Sequence, residues 1–104
     1  MGSDQHPRER EWIIGYLQDH KQEFLDNYGI ERIGLFGSVV RGELREDSDI
    51  DIAIEMTTAK KNLRNFLAFK RTLESVFQRP VDVGIESSLK PAVKKMIAKD
   101  IHYV

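Results

Sequence analysis

The stretch Ile33-Gly34-Leu35-Phe36-Gly37-Ser38, then ten residues, then Asp49-Ile50-Asp51-Ile52-Ala53-Ile54-Glu55 decides how the chain is read. Ile50, Ile52 and Ile54 alternate with Asp49, Asp51, Ala53 and Glu55, the pattern of a β-strand with one buried and one polar face. Asp49 and Asp51 then project from the same face with Cα atoms about 6.5 to 7 Å apart, close enough for two carboxylates to share a metal centre. Just before them, Gly37 lets the chain leave a strand tightly, and Ser38 can offer its hydroxyl and backbone N–H to a phosphate oxygen.

Polar residues alternating with isoleucine also describe the solvated side of any half-buried strand, so the pair needs support from the rest of the chain. Two other phosphate or metal motifs fail by position. A P-loop begun at Gly37 meets Glu43 and Leu44 where Lys and Ser or Thr are required, and a calcium loop begun at Asp47 meets Ile52 and Thr58 where Gly and Glu must stand.

Outward from this stretch, Trp12, Ile13, Tyr16, Leu17, Phe24 and Tyr28 recur at helical spacing, which predicts one packing helix from Pro7 to Tyr28 stopped by Gly29. His20 falls within that stripe and is expected to be a hydrogen-bonded core residue. Glu31 to Gly37 reads as the first strand, with Ile33 and Leu35 on one face and Gly34 and Phe36 on the other. Val39 to Gly42 reads as a short helical turn. Arg41 in that turn is expected either to touch phosphate or to brace Asp49 by a charged hydrogen bond.

A helix is expected over Asn62 to Phe77, with Leu63, Phe66, Leu67, Leu73 and Phe77 inward. Arg79 to Ile85 reads as a third strand in which Asp82 is the one charge among Val81, Val83 and Ile85. A buried carboxylate needs a cation, a hydrogen-bond cage or solvent, and a metal held by Asp49 and Asp51 would supply the first. Pro91 to Lys99 predicts a last amphipathic helix with Val93, Met96 and Ile97 inward; the segment 101–104 is too short to assign. The fold class expected is α+β, a small mixed sheet of three or more strands covered by helices.

With 104 residues the chain is read as a single domain, residues 1–6 being assigned to a disordered or tag-derived start. A formal net charge of −1 gives no cationic field, so direct nucleic-acid binding is not expected. The absence of cysteine excludes disulfides, thiolate metal sites and thiol catalysis. His6, His20 and His102 lie far from the acidic motif in sequence, so a zinc site is not expected. No apolar run approaches the ~20 residues of a membrane span, and a cytoplasmic protein is the expectation.

The combination of Gly-Ser, ten residues and Asp-x-Asp resembles the DNA polymerase beta-like nucleotidyltransferases. Leu35 to Gly42 and Ser48 to Asp51 most resemble the minimal nucleotidyltransferases, or MNT proteins, with Pro80-Val81-Asp82-Val83 similar to the third-carboxylate strand and Leu89 to Val104 similar to the closing helix. Val40 departs from the Ala that many members carry.

The resemblance implies the polymerase beta-like fold. It also implies that Asp49, Asp51 and Asp82 are catalytic metal ligands and that Gly37 and Ser38, with Arg41, bind the nucleotide. Two Mg2+ ions, or Mn2+ in their place, and ATP as substrate go with that reading. So does a partner, since MNT proteins pair with HEPN-domain RNase toxins and some are thought to move AMP onto a HEPN tyrosine. A domain this small has no room of its own for an acceptor, which a partner or a second copy of the chain must then carry. The alternatives are a non-catalytic antitoxin that acts by binding, and nucleotidyl transfer to a small hydroxyl compound.

Overall fold

The computed structural model describes residues 5–104. The expected start over residues 1–6 therefore lies, for residues 1–4, outside the described residues. The elements run α1 (Gln5–Asp19), α2 (Lys21–Tyr28), β1 (Ile30–Phe36), α3 (Ser38–Arg41), β2 (Ile50–Met56), α4 (Leu63–Phe77), β3 (Val81–Ile85), α5 (Pro91–Ala98) and β4 (His102–Tyr103). The strands form one mixed sheet in the order β3-β2-β1-β4, so the expected α+β class holds.

The single helix expected over Pro7 to Tyr28 is broken in two at His20. The carbonyl of Tyr16 accepts from both the main-chain N–H of His20, at 3.1 Å, and its ring Nδ1, at 2.8 Å. Such side-chain competition for a helix carbonyl loosens the ladder locally. His20 is thus hydrogen-bonded as expected, but half-exposed, with its ring stacked 4.1 Å from that of Tyr16. Gly29, at φ 74°, ends α2 in the left-handed conformation that suits glycine.

β1 and β2 pair antiparallel with Ile33 opposite Ile54 and Leu35 opposite Ile52. β2 and β3 pair in parallel with Ile50 beside Val81 and Ile52 beside Val83. These side chains share one face and, with Ile13, Leu17, Phe24, Phe69 and Leu73 from the helices, make the core. Phe69 is fully buried edge-on to Phe24 at 5.2 Å. Burying such a ring contributes on the order of 2 to 3 kcal/mol. A parallel pair needs a crossover, and α4 provides it, started by Asn62 Oδ1 accepting the Asn65 N–H at 2.8 Å.

Three inward assignments are corrected. Leu63, at the first position of α4, is 70% exposed, beside an open pocket that it lines with Met56, Phe66 and Ile85. On α5 only Ile97 is buried, while Met96 and Val93 are exposed, at 72% and 37%. That helix packs along one narrow line rather than across the sheet. The last residues, unassigned from sequence, form β4 and pair with β1 through Gly34–Tyr103 and Leu35–His102. Among the described residues no helix is long and apolar enough to cross a membrane.

Candidate active site

On the sheet face turned away from the core, register decides the neighbours. Phe36 is opposite Asp51 across the antiparallel pair, and Asp82 is beside Asp51 across the parallel pair. Adjacent strands lie about 4.8 Å apart, so Asp51 and Asp82 leave the sheet side by side. Asp49 stands one residue before β2, exposed, at the end of the loop that begins after Gly42. The sequence reading placed it in the strand; it is in the approach to the strand instead.

Burial pushes the Asp51 carboxyl above its ordinary pKa, the negative charges of Asp82 and then Asp49 push it the same way, and Arg41 pulls it back. Asp51 therefore feels both neighbouring carboxylates as well as its own burial. Like charges drawn together on a folded surface are the arrangement a cation relieves.

Gly37 follows β1 with φ 78° and ψ −149°, in a region that favours glycine. A Cβ built on it would collide with Asp51 Oδ2 and stand 3.2 Å from Asp51 Cγ. The glycine therefore serves twice: it turns the backbone, and it leaves room for the carboxylate to lie against the turn. Ser38 opens α3, where the first amides of a helix have no partner within it. Gly37 thus sits immediately beside Asp51, and Ser38 is the next residue along the chain.

Arg41 corrects one expectation. It does not brace Asp49: its Nε donates to Glu43 Oε1 at 3.0 Å and its Nη1 to Asp100 Oδ2 at 2.9 Å. The turn carries this side chain toward the C-terminal end of α5, and the two carboxylates there take its donors. Phe36, Gly37, Arg41, Asp51, Met96, Ile97 and Asp100 line a cleft of about 250 Å3. Asp100 was missed from sequence because it meets Arg41 across 59 positions with no motif around it.

Oxygen ligands alone, with no cysteine or histidine beside them, suit a hard divalent cation such as Mg2+. Asp51 and Asp82, side by side across the parallel pair, have the donor chemistry for such an ion. As the side chains stand, no three His, Cys, Asp or Glu among the described residues are close enough to hold a metal ion.

The parallel pair thus carries Asp51 beside Asp82, Asp49 stands one step before β2, and the glycine turn packs on Asp51. The family profile of the nucleotidyltransferase domain matches residues 17–104, and the chain belongs to that family. It is a nucleotidyltransferase. Among individual proteins it is similar to the protein adenylyltransferase MntA of Thermococcus cleftensis, 37% identical over 94 residues, 90% of this chain and 94% of that one. A solved structure of a candidate minimal nucleotidyltransferase superposes with TM-score 0.75 at 27% identity, covering 89% of this chain and 93% of the other. A crystal structure of a toxin–antitoxin with AMP-PNP shares the fold, with TM-score 0.66 at 21% identity over 82% of this chain and 69% of that one. The likeness to minimal nucleotidyltransferases read from the glycine turn and the aspartates is borne out.

Proposed function

We propose that the chain is the antitoxin of a toxin–antitoxin pair and moves AMP from ATP onto a tyrosine hydroxyl of a HEPN-domain RNase toxin. The observation that carries this reading is the Asp51–Asp82 register beside Gly37. The adenylyltransferase name of the Thermococcus relative and the AMP-PNP in the toxin–antitoxin crystal support the nucleotide and the kind of partner. The HEPN identity rests on the MNT resemblance.

In the reaction the acceptor oxygen forms a bond to the α-phosphorus of ATP, the bond from that phosphorus to the bridging oxygen breaks, and pyrophosphate leaves. Catalysis of this class is positioning and charge neutralisation more than covalent chemistry. Asp49, Asp51 and Asp82 would hold Mg2+, two ions with Mn2+ as substitute, whose charge offsets that of the triphosphate and favours loss of the acceptor proton. Gly37 and Ser38 would seat the triphosphate. Asp82, on the edge strand, would face the acceptor and take the hydroxyl proton. Arg41 would reach the nucleotide by leaving Asp100. A cleft of about 250 Å3 is smaller than the usual ~300 to 1,000 Å3 of an enclosing ligand site, so the acceptor protein would supply the missing wall.

Incubation of the chain with its toxin, ATP and Mg2+ should add one adenylate to the toxin, seen by intact mass and lost with EDTA. No added mass in any combination would remove the enzymatic reading. A second reading, neutralisation by occlusion, is favoured by the exposure of Leu63, at 70%, and Met96, at 72%. It predicts that a chain with Asp49, Asp51 and Asp82 all changed to Asn still protects cells; the catalytic reading predicts that protection is lost.

A further inference from the structure

Arg79 has no role in the chemistry above, yet it has more polar contacts than any other side chain described so far. Only 9% of its side chain is exposed. Nε and Nη2 donate to the two carboxylate oxygens of Glu9 on α1, at 2.9 and 2.8 Å, as a two-pronged pair. Nη1 donates to the carbonyls of Arg45, Glu46 and Ser48, the last two at 3.2 Å. All of these carbonyls belong to the loop that ends at Asp49. The next residue continues the pattern, since the Pro80 carbonyl accepts the Ile50 N–H at 3.0 Å.

The main chain is therefore fixed on both sides of Asp49 by two consecutive residues that lead into the strand of Asp82. Asp49 itself is exposed and lies outside the strand ladder, so these contacts are what set its backbone. Within the loop, Ser48 N–H donates to the Arg45 carbonyl and Arg45 N–H to Ser48 Oγ, each at 3.0 Å. The carbonyls thereby converge on one guanidinium. Only a planar fork with five N–H donors can serve Glu9 on one edge and a row of carbonyls on the other; a lysine ammonium has three donors from one point.

We propose that Arg79 is a positioning residue for nucleotidyl transfer: it fixes the main chain of Asp49 relative to Asp51 and Asp82, with Glu9 compensating its charge. The inference rests on the reading of the aspartates given under Proposed function. It differs from a plain structural staple, which would join α1 to the sheet and leave the loop and the site as they were.

The test uses the full chain as wild type, Arg79→Lys and Glu9→Gln. Hydrogen exchange of the amides of residues 45–50 is compared with that of α4, Mn2+ affinity is titrated by electron paramagnetic resonance, and adenylate transfer to the toxin is resolved into kcat and KM for ATP. Lysine keeps the charge facing Glu9, so Arg79→Lys is expected to fold. Exchange at 45–50 should quicken about tenfold with α4 unchanged. Mn2+ affinity and kcat should each fall about 10- to 100-fold, the usual cost of removing a group that orients a metal ligand, while KM for ATP holds within about threefold. Glu9→Gln, which leaves the arginine in place, should shift the same quantities in the same direction by less. Should Arg79→Lys not fold, Glu9→Gln decides alone by the same pattern. Unchanged exchange at 45–50, or faster exchange with Mn2+ affinity and kcat intact, overturns the proposal. A wild type that neither binds Mn2+ nor transfers adenylate overturns the functional reading instead, and that outcome is separate because it needs no variant.

Discussion

Two cavities of nearly equal size lie toward opposite ends of the β2–β3 pair, about 250 Å3 beside Asp51 and about 270 Å3 beside Met56. The first combines the charged Asp51, Arg41 and Asp100 with Phe36, Gly37, Met96 and Ile97. The second is lined mostly by carbon, from Met56, Leu63, Phe66 and Ile85, with the Lys61 and Asn62 chains at its margin. Volume does not tell them apart; charge does. Parallel strands commonly place ligands at their C-terminal ends, which here is the apolar cavity. The carboxylates stand instead at the N-terminal ends of β2 and β3, because antiparallel β1 brings its closing turn, Gly37, to that end. The end where like charges crowd is the end proposed to bind a cation.

The largest expected effect tests that contrast at Asp51. Asp51→Asn should lower adenylate transfer on the order of a thousandfold, as loss of a metal ligand does. The same change should raise the melting temperature of the metal-free chain by roughly a few degrees at pH 7. The sign follows from the raised pKa of Asp51: the ionised form is disfavoured in the folded state, so the wild type carries a penalty above that pKa. As pH falls through it, the wild-type carboxyl protonates and the gap between the two melting curves should close. A variant that melts lower at pH 7 would contradict the crowding of like charges.

Gly37→Ala comes next. It should reduce transfer about a hundredfold and stability by roughly 1 to 2 kcal/mol, because the methyl group meets Asp51 Oδ2 and the backbone keeps a positive φ. Retained transfer would mean that the carboxylate does not need to lie against the turn. At the other end, Phe66→Ala should cost about 1 to 2 kcal/mol by chemical denaturation, since the ring is only half-buried, and leave transfer at low temperature within about twofold. A large loss of transfer there would erase the distinction between the two cavities.

The smallest effect is at Glu55, on the same face as Asp51 but farther along β2. Its Oε1 accepts the Ser87 N–H at 2.8 Å. Burial pushes this carboxyl up, but the Ser87 hydrogen bonds and the charges of Lys61 and Arg32 outweigh it and hold the pKa below its ordinary value. A depressed carboxyl stabilises above its unfolded pKa and ceases to as pH falls through the folded one. Glu55→Gln should therefore melt about one to three degrees lower at pH 7 and converge with wild type in acid, as measured by calorimetry.

The placement of Asp51 and Asp82 in the candidate site was legible because its determinants are local. The alternation of Ile50, Ile52 and Ile54 set which face Asp51 takes, and the lone charge among Val81, Val83 and Ile85 marked Asp82 before any register was known. Long-range contacts were not legible in the same way. Arg79 meets Glu9 across 70 positions, and nothing in the residues around either one signals the pairing. Arg41 was expected to touch phosphate or to brace Asp49, and the second of these fails because acceptors at Glu43 and Asp100 take its donors. Leu63 and Met96 have helical spacing suited to burial and are exposed, because periodicity says which residues share a helix face and not how much of that face finds a neighbour.

The most direct test is a crystal of the chain grown with Mn2+ and a non-hydrolysable ATP analogue, with the ion located by anomalous scattering. A peak is expected about 2 Å from carboxylate oxygens of both Asp51 and Asp82, with the triphosphate against Gly37 and Ser38. A peak elsewhere, or Asp82 turned away from an ion held by Asp51, would contradict it.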